Sequence, residues 1–378
     1  MMQAITNATV FTGEKLLECT SVVFDHSGII QVIPDADLPV DIPKITDFAG
    51  DYLVPGFIDL QVNGGGGVMF NSSPTRATIQ TMVKAHNQFG TTGLFPTLIT
   101  DNKDKMRLAI SAVDEAIAAG DSGVLGIHLE GPFLNPLKKG AHDASKFSQI
   151  DDEAIELLCS LKHGKTIVTL APELTDAQTI TKLTERGVIV CAGHSNATYE
   201  QMVEAIMAGA QGFTHLFNAM SPFEGRAPGM VGAALLDKSS WFGIIADGHH
   251  VHPASLKLAV QAKQTGGAIL VTDAMSTVGA TDNSFELNNE IIYAKNGRCV
   301  NAAGSLAGSD LDMFSAIKNS MQFADISWQE AVRMASLYPA KACGMDKTCG
   351  VIQAGAKASF NRLSANFELR NSWINGAL

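Results

Sequence analysis

The chain has no cysteine pair at metal-binding or redox spacing. Its six cysteines, Cys19, Cys159, Cys191, Cys299, Cys343 and Cys349, are scattered, with no C-x-x-C among them. In a chain of this size that argues against a cysteine-based zinc site and a disulfide framework, and fits reduced thiols in the cytoplasm. No apolar stretch approaches the roughly 18 residues that a membrane span needs. The start, MMQAITNATVFTG, lacks a basic segment followed by an apolar one, so no signal peptide is expected. Positive charge is also scarce: 27 Lys and Arg stand against 38 Asp and Glu, for a net charge of −11. Such a chain matches neither nucleic acid nor an anionic membrane surface, and an anionic substrate would need local cations to overcome the overall field. No tandem repeat or low-complexity tract is present.

What the chain does have is apolar and periodic. Its 378 residues are 46% hydrophobic, enough for a full core. The length suits one large barrel with a small accessory domain, or two medium domains. Residues 1–54 read as short strands broken by Gly and Asp. From Leu53 on, short apolar runs alternate with longer amphipathic stretches, the mark of βα units around a parallel sheet. Eight strands are expected: 56–62, 91–98, 124–130, 166–172, 188–194, 212–217, 242–247 and 268–273. Between them lie helical segments such as TRATIQTMVKAHNQFG and MRLAISAVDEAIAAG, several ending in Gly. After Asp273 come a hairpin-like stretch, a helix near Ser309–Ala324 and another near Trp328–Cys343. The tail returns to β character. The expected fold class is α/β: a (β/α)8 barrel over residues 55–345, with a small second β domain formed by residues 1–54 and 346–378.

Polar residues cluster at the C-terminal ends of these strands, where barrel enzymes build their sites. They are Asp59, Gln61 and Asn63; His128 and Glu130; His194; His215 and Asn218; Asp247, His249 and His250; and Asp273. A buried parallel strand is apolar through its middle, so ionisable groups placed this way are hard to explain as packing. His128 is best read as a hydrogen-bonded core group. His26, His86 and His163 fall outside the pattern and are expected at the surface. Glu130, His194 and His215 form a set of two imidazoles and one carboxylate, which suits one divalent cation per chain and leaves a position for water. Zn2+ is the expected ion; Fe2+, Co2+ and Mn2+ are compatible. Water activated there ionises near neutral pH, with a pKa of about 7. Asp273 is the remaining carboxylate, able to take a proton from that water and pass it to a leaving group.

Taken in order, VPGFIDLQVNGGGG, GIHLEGPFLN, KKGAH, AGHSNAT, THLFNAM, IADGHHVH, VTDAM and LAGS closely resemble the N-acetylglucosamine-6-phosphate deacetylases of the amidohydrolase superfamily. The match runs from about Val54 to Tyr338, and the flanking β segments fit that family's small second domain. The resemblance implies hydrolysis of N-acetyl-D-glucosamine 6-phosphate to D-glucosamine 6-phosphate and acetate, in amino-sugar catabolism and recycling. It implies metal ligation by Glu130, His194 and His215, with Asp273 as catalytic acid and base. Substrate contacts carry over to Ala141, His142, Asn218, Ala219, Arg226, His250, Leu306, Ala307, Gly308 and Ser309. The resemblance also implies a homodimer, with His250 placed to serve its own or a neighbouring subunit's phosphate site.

One departure stands out. Many amidohydrolases place H-x-H at the end of strand one and bind two metals; here those positions are Gln61 and Asn63. Neutral amides are poor Zn2+ ligands, so Gln61 reads as the remnant of a second metal site. The glycine run 64–67 reads either as a close approach to ligand or as a tight turn. Two rivals keep a place: an amidohydrolase acting on a cyclic amide or nucleobase, and a catalytically dead barrel used as a binding protein. Arg226 in its Gly-rich loop and the KKGAH segment speak against the first, the intact ligand set with Asp273 against the second.

Overall fold

The computed structural model describes residues 1–378. Eight parallel strands pair in chain order to form the barrel: Phe57–Val62, Thr91–Ile99, Gly126–Glu130, Lys165–Leu170, Ile189–Ala192, Gly212–Phe213, Trp241–Ile244 and Ala268–Leu270. Closure occurs just beyond the eighth strand. Asp273 N donates to Gln61 O at 3.0 Å and Asn63 N to Ala274 O at 2.9 Å. Helices start where a side chain can satisfy their free N–H groups. Thr75, Asn102, Asp151, Asp176, Thr198, Asp312 and Ser327 each cap one, and Thr198 forms a reciprocal capping box with Gln201.

All eight expected strands are present, but the last five end two to four residues early. After the fifth, sixth and eighth the reason is backbone conformation. His194, His215 and Asp273 have φ of 48°, 37° and 52°, left-handed values that no strand accommodates. The helix Gly229–Leu236 escaped the sequence reading. Six of its eight residues are buried, so GMVGAALL carries no polar face and no helical period. The expected Ser309–Ala324 helix begins at Met313, with Ser309 ending a strand instead. The last expected helix divides at Ser336 into Trp328–Ala335 and Leu337–Ala342.

A seven-stranded sheet draws on both ends of the chain. Tyr52–Pro55 pairs with Gln3–Phe11 on one side and with Phe360–Leu363 on the other. A four-stranded antiparallel meander, Ser284–Leu287, Glu290–Lys295, Arg298–Val300 and Leu306–Ser309, stands beside the barrel mouth. Leu287, Ile292, Cys299 and Ala307 of this meander pack with Met69, Ile99 and Met275 in a small apolar cluster separate from the main core.

His86 corrects the surface assignment: it is fully buried, with Nε2 2.8 Å from Gly64 O. Its helix buries Ile79, Met82 and His86, a spacing the sequence already carried. The glycine run proves to be a tight turn docked on the segment after Asp273. Gly66 N donates to Val278 O and Gly67 N to Ser276 O, both at 2.8 Å. A Cβ on Gly64 would lie 2.5 Å from Val68 O and 2.8 Å from Ser276 N.

Candidate active site

Glu130, His194 and His215 meet at the mouth of the barrel. Glu130 Oε1 lies 3.2 Å from His194 Nε2 and 3.0 Å from His215 Nε2, and the two Nε2 atoms are 3.0 Å apart. All three side chains are buried. His194 Nδ1 faces the Lys138 carbonyl at 2.8 Å, and a carbonyl only accepts, so Nδ1 carries the proton and Nε2 presents its lone pair. A lone pair and a carboxylate oxygen this close need a proton on His215 Nε2 or a cation among them. The donor set therefore fits a divalent cation, and its ligand atoms lie within 4.8 Å of one another. Burial pushes the Glu130 carboxyl up, but the His194 and His215 rings outweigh burial and hold it well below the usual carboxylate range. The KKGAH loop approaches closely because Gly140 has φ of 54° and no side chain; a Cβ there would sit 3.2 Å from His194 Cε1.

Asp273 stands beside this cluster. Asn63 Nδ2 donates to its Oδ1 at 2.6 Å and Gln61 Nε2 at 3.2 Å; Gln61 Nε2 also reaches Glu130 Oε2 at 3.1 Å. Burial and the Glu130 charge push Asp273 up to about 6, and a dication in the cluster would pull it down again. The left-handed backbone of Asp273 is held on both flanks. Ser309 N donates to Asp273 O at 3.0 Å, and Thr272 Oγ1 donates to the buried Asp59 Oδ2 at 2.5 Å. Strain of this kind persists only where the surroundings over-determine it, and it concentrates at functional sites.

His142 closes the other side. The Thr100 N–H can only donate, and it points at His142 Nδ1 from 3.4 Å, with Thr100 Oγ1 at 2.8 Å. The proton therefore sits on Nε2, 4.0 Å from Glu130 Oε1. Burial and the His194 ring hold His142 down to about 3, so at neutral pH it is an uncharged donor. His128 lies one layer below. Its Nδ1 donates to Leu60 O at 3.1 Å and its Nε2 accepts from Thr169 Oγ1 at 2.7 Å, a satisfied core histidine that burial keeps neutral.

A cavity of about 200 Å3 joins these groups. Its walls include Ala141, His142, Asn218, Ala219, His250, Asp273, Leu306 and Gly308. His250 lines the cavity of its own chain, with Nδ1 2.6 Å from Asp247 Oδ2. Three residues from the sequence reading lie elsewhere. Ser309 is buried behind Asp273, Ala307 faces an outer cleft, and Arg226 is exposed beside a separate cavity with Asn196, Thr198 and Tyr199. Arg226 and Arg298 make no ion pair, whereas the other six arginines do, and Glu200 and Glu224 line the same cavity as Arg226. Nothing in the sequence pointed to Thr100 or to the Lys138 carbonyl, which orient the His142 and His194 imidazoles. Ile99, Ile245 and Met275, which complete the wall, read as ordinary strand or loop residues.

The amidohydrolase family model matches residues 52–378. The chain is 42% identical over 326 residues to the N-acetylgalactosamine-6-phosphate deacetylase of Shewanella sp. (strain ANA-3), covering 86% of this chain and 82% of that protein. It is 36% identical over 379 residues to the N-acetylglucosamine-6-phosphate deacetylase of Haemophilus influenzae, covering 100% and 99%. The crystal structure of N-acetylglucosamine-6-phosphate deacetylase from Pasteurella multocida superimposes with a TM-score of 0.95 at 37% identity, covering 100% of this chain and 99% of that one. With the family match running through the whole barrel and relatives this similar over 82–99% of their length, the chain belongs to the amidohydrolase family.

Proposed function

We propose that the protein hydrolyses the acetamide of N-acetyl-D-glucosamine 6-phosphate, giving D-glucosamine 6-phosphate and acetate, and that it works as a homodimer. The observation that carries this reading is the buried Glu130–His194–His215 cluster with Asp273 beside it, in a chain whose relatives, matched over 82% and 99% of their length, are amino-sugar-phosphate deacetylases. Glu130, His194 and His215 hold one divalent ion, with Zn2+ the proposed metal. When bound, the ion supplies Lewis-acid polarisation of the amide carbonyl and makes water acidic enough to attack at neutral pH. Asp273 takes the proton from the attacking water. It then delivers that proton to the sugar nitrogen, which leaves as the amine. His142 Nε2–H donates to the carbonyl oxygen or to a ring hydroxyl, and neutral His142 cannot repel the cation. Around Asn218, the N–H groups of Phe217 and Ala219 enter no hydrogen bond of the protein. His215, Phe217 and Ala219 have positive φ, an alternation that gathers N–H groups into an anion-binding nest suited to the phosphate.

Acetate release from N-acetylglucosamine 6-phosphate by protein of known metal content tests the reading. Turnover of that substrate is expected, and no acetate release from metal-loaded protein would refute it. The 42% identity to an N-acetylgalactosamine-6-phosphate deacetylase favours a second reading, the 4-epimer as principal substrate. It prevails if kcat/KM for the galacto sugar exceeds that for the gluco sugar.

Arg226 is the proposed phosphate reader, on the family resemblance and on a planar fork that matches phosphate; lying outside its own chain's catalytic cavity, it would serve the site of the other subunit of the homodimer. A hydrogen bond to a charged group contributes about 1.5–3 kcal/mol. Arg226→Ala is therefore expected to lower kcat/KM by roughly 10- to 150-fold at ~1.36 kcal/mol per decade. The loss belongs to the phosphorylated sugar and is small for N-acetylglucosamine itself; equal losses on both would remove Arg226 from phosphate recognition.

A further inference from the structure

Asn63 is fully buried at the end of the first barrel strand. Its one side-chain hydrogen bond runs from Nδ2 to Asp273 Oδ1 at 2.6 Å, and its own Oδ1 meets no partner. Gln61 adds a second N–H to the same Asp273 oxygen at 3.2 Å. Two amide donors thus converge on Asp273 Oδ1, and no hydrogen bond of the protein falls on Oδ2. The cavity that Asp273 lines lies between Glu130 and His250. A carboxylate with one oxygen saturated by fixed donors has its rotation stopped and its second oxygen left for chemistry. An amide does this at every pH near neutrality, since it neither titrates nor changes tautomer. It is also a poor ligand for a soft or borderline cation, so it leaves the neighbouring metal cluster undisturbed.

We infer that Asn63 is a positioning residue for proton transfer: it pins Asp273 Oδ1 so that Oδ2 meets the attacking water and then the sugar nitrogen. The backbone makes such a pin necessary. Asp273 follows a strand that has already ended and adopts a left-handed φ of 52°, so its side-chain direction is not inherited from a β-ladder. Gln61 Nε2 can give one N–H to Asp273, at 3.2 Å, and the other to Glu130, at 3.1 Å, whereas Asn63 makes its one side-chain hydrogen bond to Asp273, and a shorter one, at 2.6 Å. This inference rests on reading Asp273 as the group that moves the proton.

The test compares Asn63→Leu, a near-isostere without a donor, with Asn63→His, which restores an N–H. Each is assayed on N-acetylglucosamine 6-phosphate, with bound metal measured on the same protein. Asn63→Leu should lose roughly 10- to 150-fold in kcat, the size of one hydrogen bond to a charged group, with KM within about 2-fold of the parent and one metal per chain retained. Asn63→His should recover most of kcat without acquiring a second ion. If Asn63→Leu does not fold, Asn63→Ala carries the same comparison. An unchanged kcat in the donor-less variant overturns the inference, as does a loss that falls on KM or on metal content. Recovery in Asn63→His only alongside a second bound ion overturns it too. Failure of the deacetylation reading itself would show separately, as absence of acetate release from the parent protein.

Discussion

Asp273→Asn is expected to fold, to keep its metal and to lose at least about 10²- to 10⁴-fold in kcat, the usual size of general acid–base assistance. The larger end is favoured because one carboxylate serves both transfers, from the water and to the amine. Asparagine keeps the shape of the side chain but cannot accept a proton usefully at neutral pH. Its oxygen can still receive the Asn63 and Gln61 amides, which lie 2.6 and 3.2 Å from Asp273 Oδ1, so local packing is preserved. Glu130, His194 and His215 are untouched, so metal content should match the parent. Near-parental turnover in a folded, metal-loaded variant would remove Asp273 from the mechanism. Loss of metal together with activity would move Asp273 from proton transfer to ligation.

The second large effect concerns the metal cluster. Protein purified without chelator is expected to carry one divalent ion per chain, because one complete ligand set stands beside amides at Gln61 and Asn63. Stripping that ion should lower activity by roughly 10³-fold or more, since the lost polarisation is worth several kcal/mol at the transition state. Adding Zn2+ back should restore it. His215→Ala should lose both the ion and the activity, with no recovery on adding Zn2+, because two ligands remain of a set packed within 4.8 Å. Elemental analysis read beside the acetate assay checks all three outcomes. Two stoichiometric ions per chain, or full activity in metal-free protein, would overturn the single-metal reading.

Much of this was legible before any coordinates. The change near Leu53 from short strands to alternating apolar and amphipathic stretches announced a βα barrel, because strand and helix periods differ and each must hide one face. Glu130, His194, His215 and Asp273 stood out because burying an ionisable group costs free energy unless chemistry requires it. The family resemblance then sharpened a metal site into a deacetylase. His86 and the helix Gly229–Leu236 went unseen for opposite reasons. The histidine sits on an apolar helical face that its polarity disguised, and the helix is buried so completely that no periodicity survives.

The sequence by itself determined the architecture, the ligand types and their order along the barrel, because hydrophobic period and residue chemistry are local properties. Only the tertiary structure decided how those groups face one another. Left-handed backbone at His194, His215 and Asp273 ends their strands early and brings the side chains together, and Asp59 and Ser309, far away in sequence, hold the Asp273 segment in place through Thr272. Gln61, with Asn63 at the other position of the H-x-H motif, read as the remnant of a second metal site. Folding sets them 212 and 210 residues from their partner in sequence, yet within hydrogen-bonding distance of it. A donor's role depends on which acceptor the barrel's closure brings to it, and spacing along the chain carries no record of that.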